Sequence, residues 1–214
     1  MNPDDTPAAT TIDTLDALRA LYPPPQPRAV RKEIAALDRH CRRFIALSPF
    51  VVLATGSAAH AQDASPRGGA PGFVQVTDDG ALLIPDAPGN HRLDSLENIV
   101  ATGRIGLLFL IPGFDETLRV NGRAVLSRAL SDIAACTTEK RAPTLVIRVQ
   151  VDSAYLHCAK AFLRSRLWDP EARVDRGAMP TAGRMISEQT GIAVPPELLD
   201  ETPEQMARRY APDL

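Results

Sequence analysis

Apolar and polar residues follow two different periods along this chain, and the change falls near Phe50. Before Phe50, apolar residues recur every three or four positions, which is typical of amphipathic helices. Residues 12–22 carry one such stripe and predict a short helix, which a stiff proline connector at residues 23–25 follows. A longer stripe from Val30 to Leu47 predicts a second helix, which Pro49 ends.

After Phe50, short apolar or alternating runs predict strands. The six predicted strands are residues 50–55, 72–76, 81–84, 104–111, 117–126 and 144–151. The segment from Gly56 to Gly72 is small, polar and rich in glycine, which favours a loop. Residues 104–111 are almost all apolar, so we expect that strand to be covered on both faces. Asn121 and Gly122 indicate a bend or bulge in the following strand.

The last predicted strand alternates cleanly between apolar and polar residues. Four apolar side chains are expected to point inward, namely Leu145, Ile147, Val149 and Val151. Six short strands with one helix among them and further helices at the ends favour an antiparallel barrel over a parallel sheet. The fold class predicted from the pattern is therefore mainly β, of the α+β type.

The inserted helix carries the most informative chemistry. We expect it to begin after Asn90, which can cap it, and to end at Gly103 in the left-handed conformation. Its start then holds Arg92 and Ser95, and a helix start with an arginine beside it attracts phosphate. The alternative is an ordinary capped surface helix with an exposed arginine. Taken alone, these residues favour that plainer interpretation.

Composition and charge narrow the classes of function. The 24 basic and 26 acidic residues give a net charge of -2 and a pI near 6.1, so no electrostatic footprint for nucleic acid or for an anionic membrane is expected. The start of the chain lacks the pattern of a signal peptide, and no apolar run approaches the ~20 residues of a membrane span. A soluble, cytoplasmic protein is the expectation.

Neither a metal site nor side-chain catalysis is predicted. Cys41, Cys136 and Cys158 are far apart and are expected to be small buried residues in a reduced compartment. The histidines do not pair at metal-ligand spacing. Ser57, His60 and Asp63 share the loop after the first strand, but their spacing in a flexible loop does not predict a catalytic triad.

Four segments together resemble a known family. They are SPRGGAPGFVQV (65–76), LLIPDAPGNHRLDSLENI (82–99), GLLFLIPGFDETLRVNGRA (106–124) and HCAKAFLRSRLWD (157–169). They resemble the FMN-binding split-barrel proteins of the pyridoxamine 5'-phosphate oxidase superfamily, in particular a bacterial branch of uncharacterised FMN-binding oxidase-like proteins. The order and spacing of the second and third segments outweigh the plainer interpretation of the helix start.

The resemblance implies a six-stranded antiparallel split β-barrel with flanking helices. It implies an N-terminal extension (1–27), a barrel domain (28–170) and a C-terminal helical extension (171–214). In that superfamily two chains pair and hold FMN in a cleft at their interface, so a homodimer is expected. The implied function is an FMN-dependent oxidoreductase that transfers hydride or electrons between a small-molecule substrate and a partner such as NADH or NADPH.

The resemblance also implies eleven cofactor-binding residues. Those expected around the phosphate are Arg67, Asn90, Arg92 and Ser95. Pro85 and Asp86 are expected beside the flavin or its ribityl chain, and Arg119 and Asn121 along the flavin edge. Three residues are expected to come from the partner chain, namely Lys160, Arg164 and Trp168.

The sequence departs from the oxidases that give the superfamily its name. Those use a Ser-Arg-Lys type phosphate motif at the helix start, whereas this chain has Asn-His-Arg-Leu-Asp-Ser at residues 90–95. The arginine and histidine that hold the pyridoxal substrate have no clear equivalent. Oxidation of vitamin B6 is therefore not implied. A deazaflavin-dependent reductase, a flavin- or haem-binding carrier or sensor without turnover, and a structural dimer with an empty cleft stay open.

Overall fold

The computed structural model describes residues 11–213, and these divide into two compact units. The first, up to Glu33, holds helices α1 (Leu15–Ala20) and α2 (Pro27–Arg31). Neither helix has a buried residue, although α1 carries the predicted apolar stripe. The predicted N-terminal helix is thus present, with its apolar side chains exposed within this unit.

The second unit, from Ile34 onward, contains one sheet and the remaining helices. The strands are β1 (Phe50–Gly56), β2 (Gln62–Gly68), β3 (Gln75–Val76), β4 (Leu82–Pro85), β5 (Arg104–Leu110), β6 (Thr117–Ser127) and β7 (Val146–His157). The helices are α3 (Arg39–Leu47), α4 (Asp94–Thr102), α5 (Leu130–Ala135), α6 (Lys160–Ser165), α7 (Ala182–Thr190), α8 (Pro196–Leu199) and α9 (Pro203–Tyr210). Short 3-10 turns lie at Pro170–Ala172, Arg176–Ala178 and Ala211–Asp213.

The sheet has seven strands in the order β2-β1-β5-β6-β7-β4-β3, and every pairing is antiparallel. It curls into a half-barrel with helices alongside, which confirms the predicted split barrel. The seventh strand is β2, which lies within the segment predicted to be a loop. It pairs with β1 from Phe50↔Gly68 to Gly56↔Gln62. The small side chains of β2 give little sign of a strand in the sequence. Its backbone hydrogen bonds to β1 hold it in the sheet.

The inner face of the half-barrel forms the core. Its fully buried side chains include Ile45 of α3, Leu53 of β1, Phe109 of β5, and Leu118 and Val120 of β6. The predicted inward pattern of the last strand is confirmed, because Ile147, Val149 and Val151 are buried and Leu145 is partly buried. Strand periodicity alone identified this face correctly.

The outer face of the sheet is only partly covered within one chain. On β5, Ile105, Leu107 and Phe109 are buried, whereas the alternate residues Leu108 and Leu110 are half-exposed. The prediction that this strand is covered on both faces is therefore wrong for the single chain. A continuous apolar run predicts that both faces of a strand are buried. It does not show whether the second face is covered by the same chain or by another one.

The helix predicted over residues 30–47 is two helices, α2 and α3. Ile34 lies between them and forms an isolated antiparallel bridge with Ala154. The Asp38 carboxylate accepts hydrogen bonds from the backbone N–H groups of His40 and Cys41, at 2.9 and 2.8 Å, and so caps α3. An aspartate N-cap begins a new helix where the apolar stripe predicts a continuous one.

Two of the three cysteines are buried as predicted, and the third is not. Cys41 and Cys136 are buried, whereas Cys158 is exposed. Burial raises the pKa of the Cys41 thiol and of the Cys136 thiol to about 11. Because the thiolate is the reactive form, we expect an alkylating reagent at pH 8 to modify Cys158 much faster than the other two. Peptide mass mapping measures this; comparable modification of Cys41 before unfolding would contradict it.

The helices that follow β7 are far less buried than the barrel. None of its described helices, α6 to α9, contains a buried residue. Helices α7 and α8 are tied together by an ion pair between Arg184 Nη2 and Asp200 Oδ1 at 2.5 Å. Within residues 11–213, no helix is both long and apolar enough to cross a bilayer.

Candidate functional site

The start of helix α4 differs from the predicted one. The helix begins at Asp94, and its N-cap residue is Leu93, in the left-handed conformation with φ 61° and no side-chain cap. The prediction that Asn90 caps the helix is wrong, because its Oδ1 instead accepts a hydrogen bond from the Arg92 N–H at 3.1 Å and closes a turn before the helix. Gly103 ends the helix in the left-handed conformation, as predicted.

A buried polar network joins the first turn of α4 to strands β1 and β2. The Ser95 hydroxyl donates a hydrogen bond to Asp63 Oδ2 at 2.5 Å, and the Thr55 hydroxyl donates to the same oxygen at 3.4 Å. Asn98 Nδ2 donates to Thr55 Oγ1 at 3.0 Å. Ser95 is 3% exposed and Thr55 is 4% exposed. Asp63 is therefore the common acceptor that ties the helix to the sheet.

Arg67 lies on the same strand and the same face as Asp63. Residues 63, 65 and 67 of β2 are half-buried, and their neighbours along the strand are exposed. Arg67 Nη1 donates to the Ser65 hydroxyl and to the Pro66 carbonyl, both at 2.8 Å. The guanidinium thus bends along the strand to the Ser65 side chain, one inward position from Asp63.

Arg92 approaches the same region from the loop before α4. Its Nε donates to Asp94 Oδ2 at 2.8 Å, and its side chain is 74% exposed. The hydrogen bond and charge of Asp94 raise the pKa of the Arg92 guanidinium, and the charge of Asp63 contributes to the same shift. Arg92 is thus close enough to Asp63 for their charges to interact. A guanidinium has five N–H donors, so pairing at Nε leaves the outer fork for a ligand.

These residues form one polar cluster, here called the α4-start cluster: Asp63, Ser65, Arg67, Arg92 and Ser95. It fits a phosphate in two respects, because it combines two guanidinium forks with the start of a helix. The carboxylates of Asp63 and Asp94 would repel an anion at that position. The Ser95 hydroxyl donates its hydrogen bond to Asp63, so it must turn away from that carboxylate before it donates one to a phosphate.

Pro85 and Asp86 lie where the chain leaves the sheet for α4. Pro85 ends β4 opposite Val146 of β7. The Asp86 N–H donates to the Leu145 carbonyl at 3.1 Å, and both residues are half-buried. The backbone of Pro85 and Asp86 is thus held by Val146 of β7 and by Leu145, the residue before that strand. The segment from Asp86 to Leu93 then leads to the start of α4 and contains Asn90 and Arg92.

Arg119 and Asn121 lie on the outer face of β6, whereas Arg67 belongs to the inner side of β2. Arg119 Nη1 donates to the Tyr155 hydroxyl at 3.0 Å, and its guanidinium carbon is 5.6 Å from the centre of that ring. Asn121 Nδ2 approaches the Ser153 hydroxyl at 3.4 Å. These two predicted flavin-edge residues are neighbours of each other, and in a single chain the sheet separates them from the α4-start cluster.

The third predicted group lies on and after α6. Lys160 and Arg164 are exposed at its two ends. Trp168 Nε1 donates to the Phe114 carbonyl at 2.8 Å, and the indole lies 5.7 Å from the Phe162 ring. Trp168 therefore packs against the β5–β6 turn of its own chain.

The predicted residues thus form separate groups within one chain. The structure links Arg92 and Ser95 to Asp63, which shares a face of β2 with Arg67, and leaves the β6 pair and the α6 group apart from these residues. Sequence reasoning missed the joining role of Asp63, which the incorrectly predicted loop concealed. Alternation at residues 63, 65 and 67 was the available signal, because polar residues two apart share one face of a strand.

Comparison with known proteins gives one family. The sequence profile of the pyridoxamine 5'-phosphate oxidase family matches residues 37–158, more than half of the chain. Curated protein sequences give no match.

Several solved structures are similar at low identity. HupZ from Group A Streptococcus is 16% identical over 55% of this chain and 91% of its own, with a TM-score of 0.46. The haem storage protein HutZ from Vibrio cholerae is 12% identical over 57% of this chain and 94% of its own, with a TM-score of 0.41. The FAD-binding protein from Mycobacterium smegmatis is 13% identical over 56% and 94%, with a TM-score of 0.40.

Proposed function

Because the chain belongs to the pyridoxamine 5'-phosphate oxidase family, we propose that it is an FMN-dependent oxidoreductase that works as a homodimer. The observation that carries the proposal is the α4-start cluster, in which Arg92 lies in the turn before the helix and Asp63, on the same face of β2 as Arg67, accepts a hydrogen bond from Ser95. Two forks that approach from different directions suit a phosphate monoester, which accepts hydrogen bonds on three oxygens.

The residues of this chain bind and orient the cofactor in this proposal. Arg67 and Arg92 hold the phosphate, with Asn90 shaping the turn before the helix and Ser95 at its first turn. Pro85 and Asp86 border the ribityl chain. When bound, FMN supplies the hydride or electron transfer, and a nicotinamide nucleotide such as NADH or NADPH is the proposed electron donor for a small-molecule substrate. The sheet separates Arg119 from the α4-start cluster of its own chain, so in this proposal Arg119 stabilises negative charge on the ring of the FMN that the second copy holds, since a fixed cation there favours the reduced form.

A second copy of the chain completes the site. The outer sheet face combines half-exposed apolar side chains, such as Val52, Leu108 and Leu110, with the proposed flavin-edge residues of β6. A partner that covers this face removes apolar surface from water, which stabilises the dimer by about 25 cal/mol for each Å² of apolar surface buried. It also offers the α6 group, Lys160, Arg164 and Trp168, to the cofactor of the first chain. Both contributions favour a cleft between two chains.

The first test is the identity of the bound chromophore. We expect the purified protein to show a flavin absorption spectrum, to release a compound with the mass of FMN, and to sediment as a dimer. Addition of NADH or NADPH under anaerobic conditions should bleach the flavin. Protein that stays colourless after incubation with excess FMN would contradict the proposal.

Other chromophores would identify the alternatives. A haem spectrum would indicate a carrier or sensor, and a deazaflavin spectrum a different reductase. Bound FMN that no donor reduces and no acceptor oxidises would leave a flavin carrier without turnover.

A further inference from the structure

We infer that Asp63 is the positioning residue of the phosphate site: its carboxylate sets where Ser95 and the start of α4 lie relative to Arg67, and its charge limits how tightly the phosphate binds. This inference rests on the proposed function. Asp63 lies in the segment from Gly56 to Gly72, which its glycine-rich composition predicts to be a loop and in which only Arg67 is a predicted cofactor-binding residue.

The geometry places one carboxylate oxygen of β2 between helix α4 and strand β1. Asp63 Oδ2 accepts from Ser95 of α4 at 2.5 Å and from Thr55 of β1 at 3.4 Å. Both donors are buried, so loss of this acceptor would leave a buried hydroxyl without its partner. The network is therefore well suited to hold α4 at one distance from the β1–β2 edge.

The two arginines depend on this link from opposite sides. Arg67 lies on the same face of β2 as Asp63, and its guanidinium hydrogen-bonds to Ser65 between them. Arg92 precedes Ser95 by three residues, in the turn that Asn90 closes. A shift of Ser95 relative to Asp63 moves Arg92 relative to Arg67. A phosphate that both forks bind then loses one of its contacts, because bidentate pairing tolerates little displacement.

The charge of Asp63 acts against the same ligand. The hydrogen bond and charge of Asp94 are the main causes of the raised pKa of the Arg92 guanidinium, and the charge of Asp63 adds to them. A phosphate at the helix start meets a second anion within the same cluster, and like charges repel more strongly at a partly buried site than in water. Asp63 is thus expected to position the site through its shape and to weaken phosphate binding through its charge.

Two substitutions separate position from charge. Asp63→Asn keeps an acceptor oxygen at the same distance from Ser95 and removes the charge. Asp63→Glu keeps the charge and moves the carboxylate by one methylene. Asp78→Asn is the matched control, since Asp78 is an exposed aspartate of the β3–β4 turn and its substitution changes the net charge equally.

The measurement is the dissociation constant of FMN and of riboflavin, which lacks the phosphate, by flavin fluorescence titration of each apoprotein. We expect Asp63→Asn to bind FMN several-fold more tightly and Asp63→Glu to bind it about tenfold more weakly, with riboflavin unchanged in both. Asp78→Asn should match the wild type. Circular dichroism melts of all variants check folding, and inorganic phosphate as a competitor of FMN gives a second reading of the same site.

The outcomes distinguish this inference from the proposed function. If wild-type protein binds FMN and both Asp63 variants show the wild-type ratio of FMN to riboflavin affinity, the inference is overturned and FMN binding stands. A purely structural role for Asp63 would lower the melting temperature and leave that ratio unchanged. If wild-type protein binds neither flavin, the proposed function fails and the inference fails with it.

Discussion

Replacement of Arg92 by alanine is expected to weaken FMN binding by roughly 1.5–3 kcal/mol, about 10- to 150-fold, the range for a hydrogen bond to a charged group. The substitution removes a guanidinium fork and also leaves Asp94 without the ion pair that now spans 2.8 Å. An unpaired carboxylate beside the phosphate adds to the loss. Arg67→Ala is expected to have at least as large an effect, because Arg67 is half-buried and Arg92 is mostly exposed.

The control for this result is Arg43→Ala, since Arg43 is an exposed arginine of α3 outside the cluster. Its FMN affinity should equal that of the wild type. Arg92→Lys should recover only part of the lost affinity, because lysine keeps the charge and loses the planar fork. Unchanged FMN affinity in Arg92→Ala, measured by calorimetry, would remove Arg92 from the site.

The second large effect is expected on stability, from Gly122→Ala beside the β7 bulge. The register of β6 with β7 shifts between Asn121 and Gly122, where the Asn-Gly pair predicts an irregularity, but the extra residue is Asp152 of β7 and not a residue of β6. A Cβ on Gly122 would lie 2.3 Å from the Gln150 carbonyl oxygen and 2.9 Å from Val149 Cγ1. The obstacle is backbone of the paired strand, so a side-chain movement does not relieve it. We expect a loss of about 3 kcal/mol in the free energy of unfolding.

Gly89→Ala is the matched control. The nearest atom to a Cβ there is the Ala87 carbonyl oxygen at 4.0 Å, so the change should stay within about 0.5 kcal/mol. Urea denaturation followed by circular dichroism measures both variants. A Gly122→Ala protein as stable as Gly89→Ala would show that the bulge rearranges at little cost.

The elements that the sequence predicts well are those with strong periodic or turn signals. The alternating residues of β7, the register shift at Asn121 and Gly122 and the glycine that ends α4 are all in place. Each depends on local chemistry: side chains alternate across a strand, and glycine adopts positive φ at low cost. The family resemblance added the fold, because its motifs occur in the expected order.

The elements that it missed depend on contacts distant in sequence. Strand β2 consists of small and polar residues, and it forms because β1 offers a full row of backbone partners. The long helix is broken because Ile34 pairs with Ala154, more than a hundred residues away. Helix α4 begins at Asp94 and not directly after Asn90, because Leu93 at the end of the loop from β4 is in the left-handed conformation. Local propensity carries none of this information.

By itself, the sequence determined that the chain forms an antiparallel barrel with an inserted helix and that arginines stand near that helix, because hydrophobic periodicity and residue type are local properties. Only the tertiary structure decided which arginines share a side of the molecule. The pairing of β2 with β1 and the hydrogen bond from Ser95 of α4 to Asp63 place Arg92 beside the strand face that carries Arg67. Arg119 lies on the opposite face of the sheet, because its neighbours Leu118 and Val120 point inward and successive side chains of a strand alternate between the two faces.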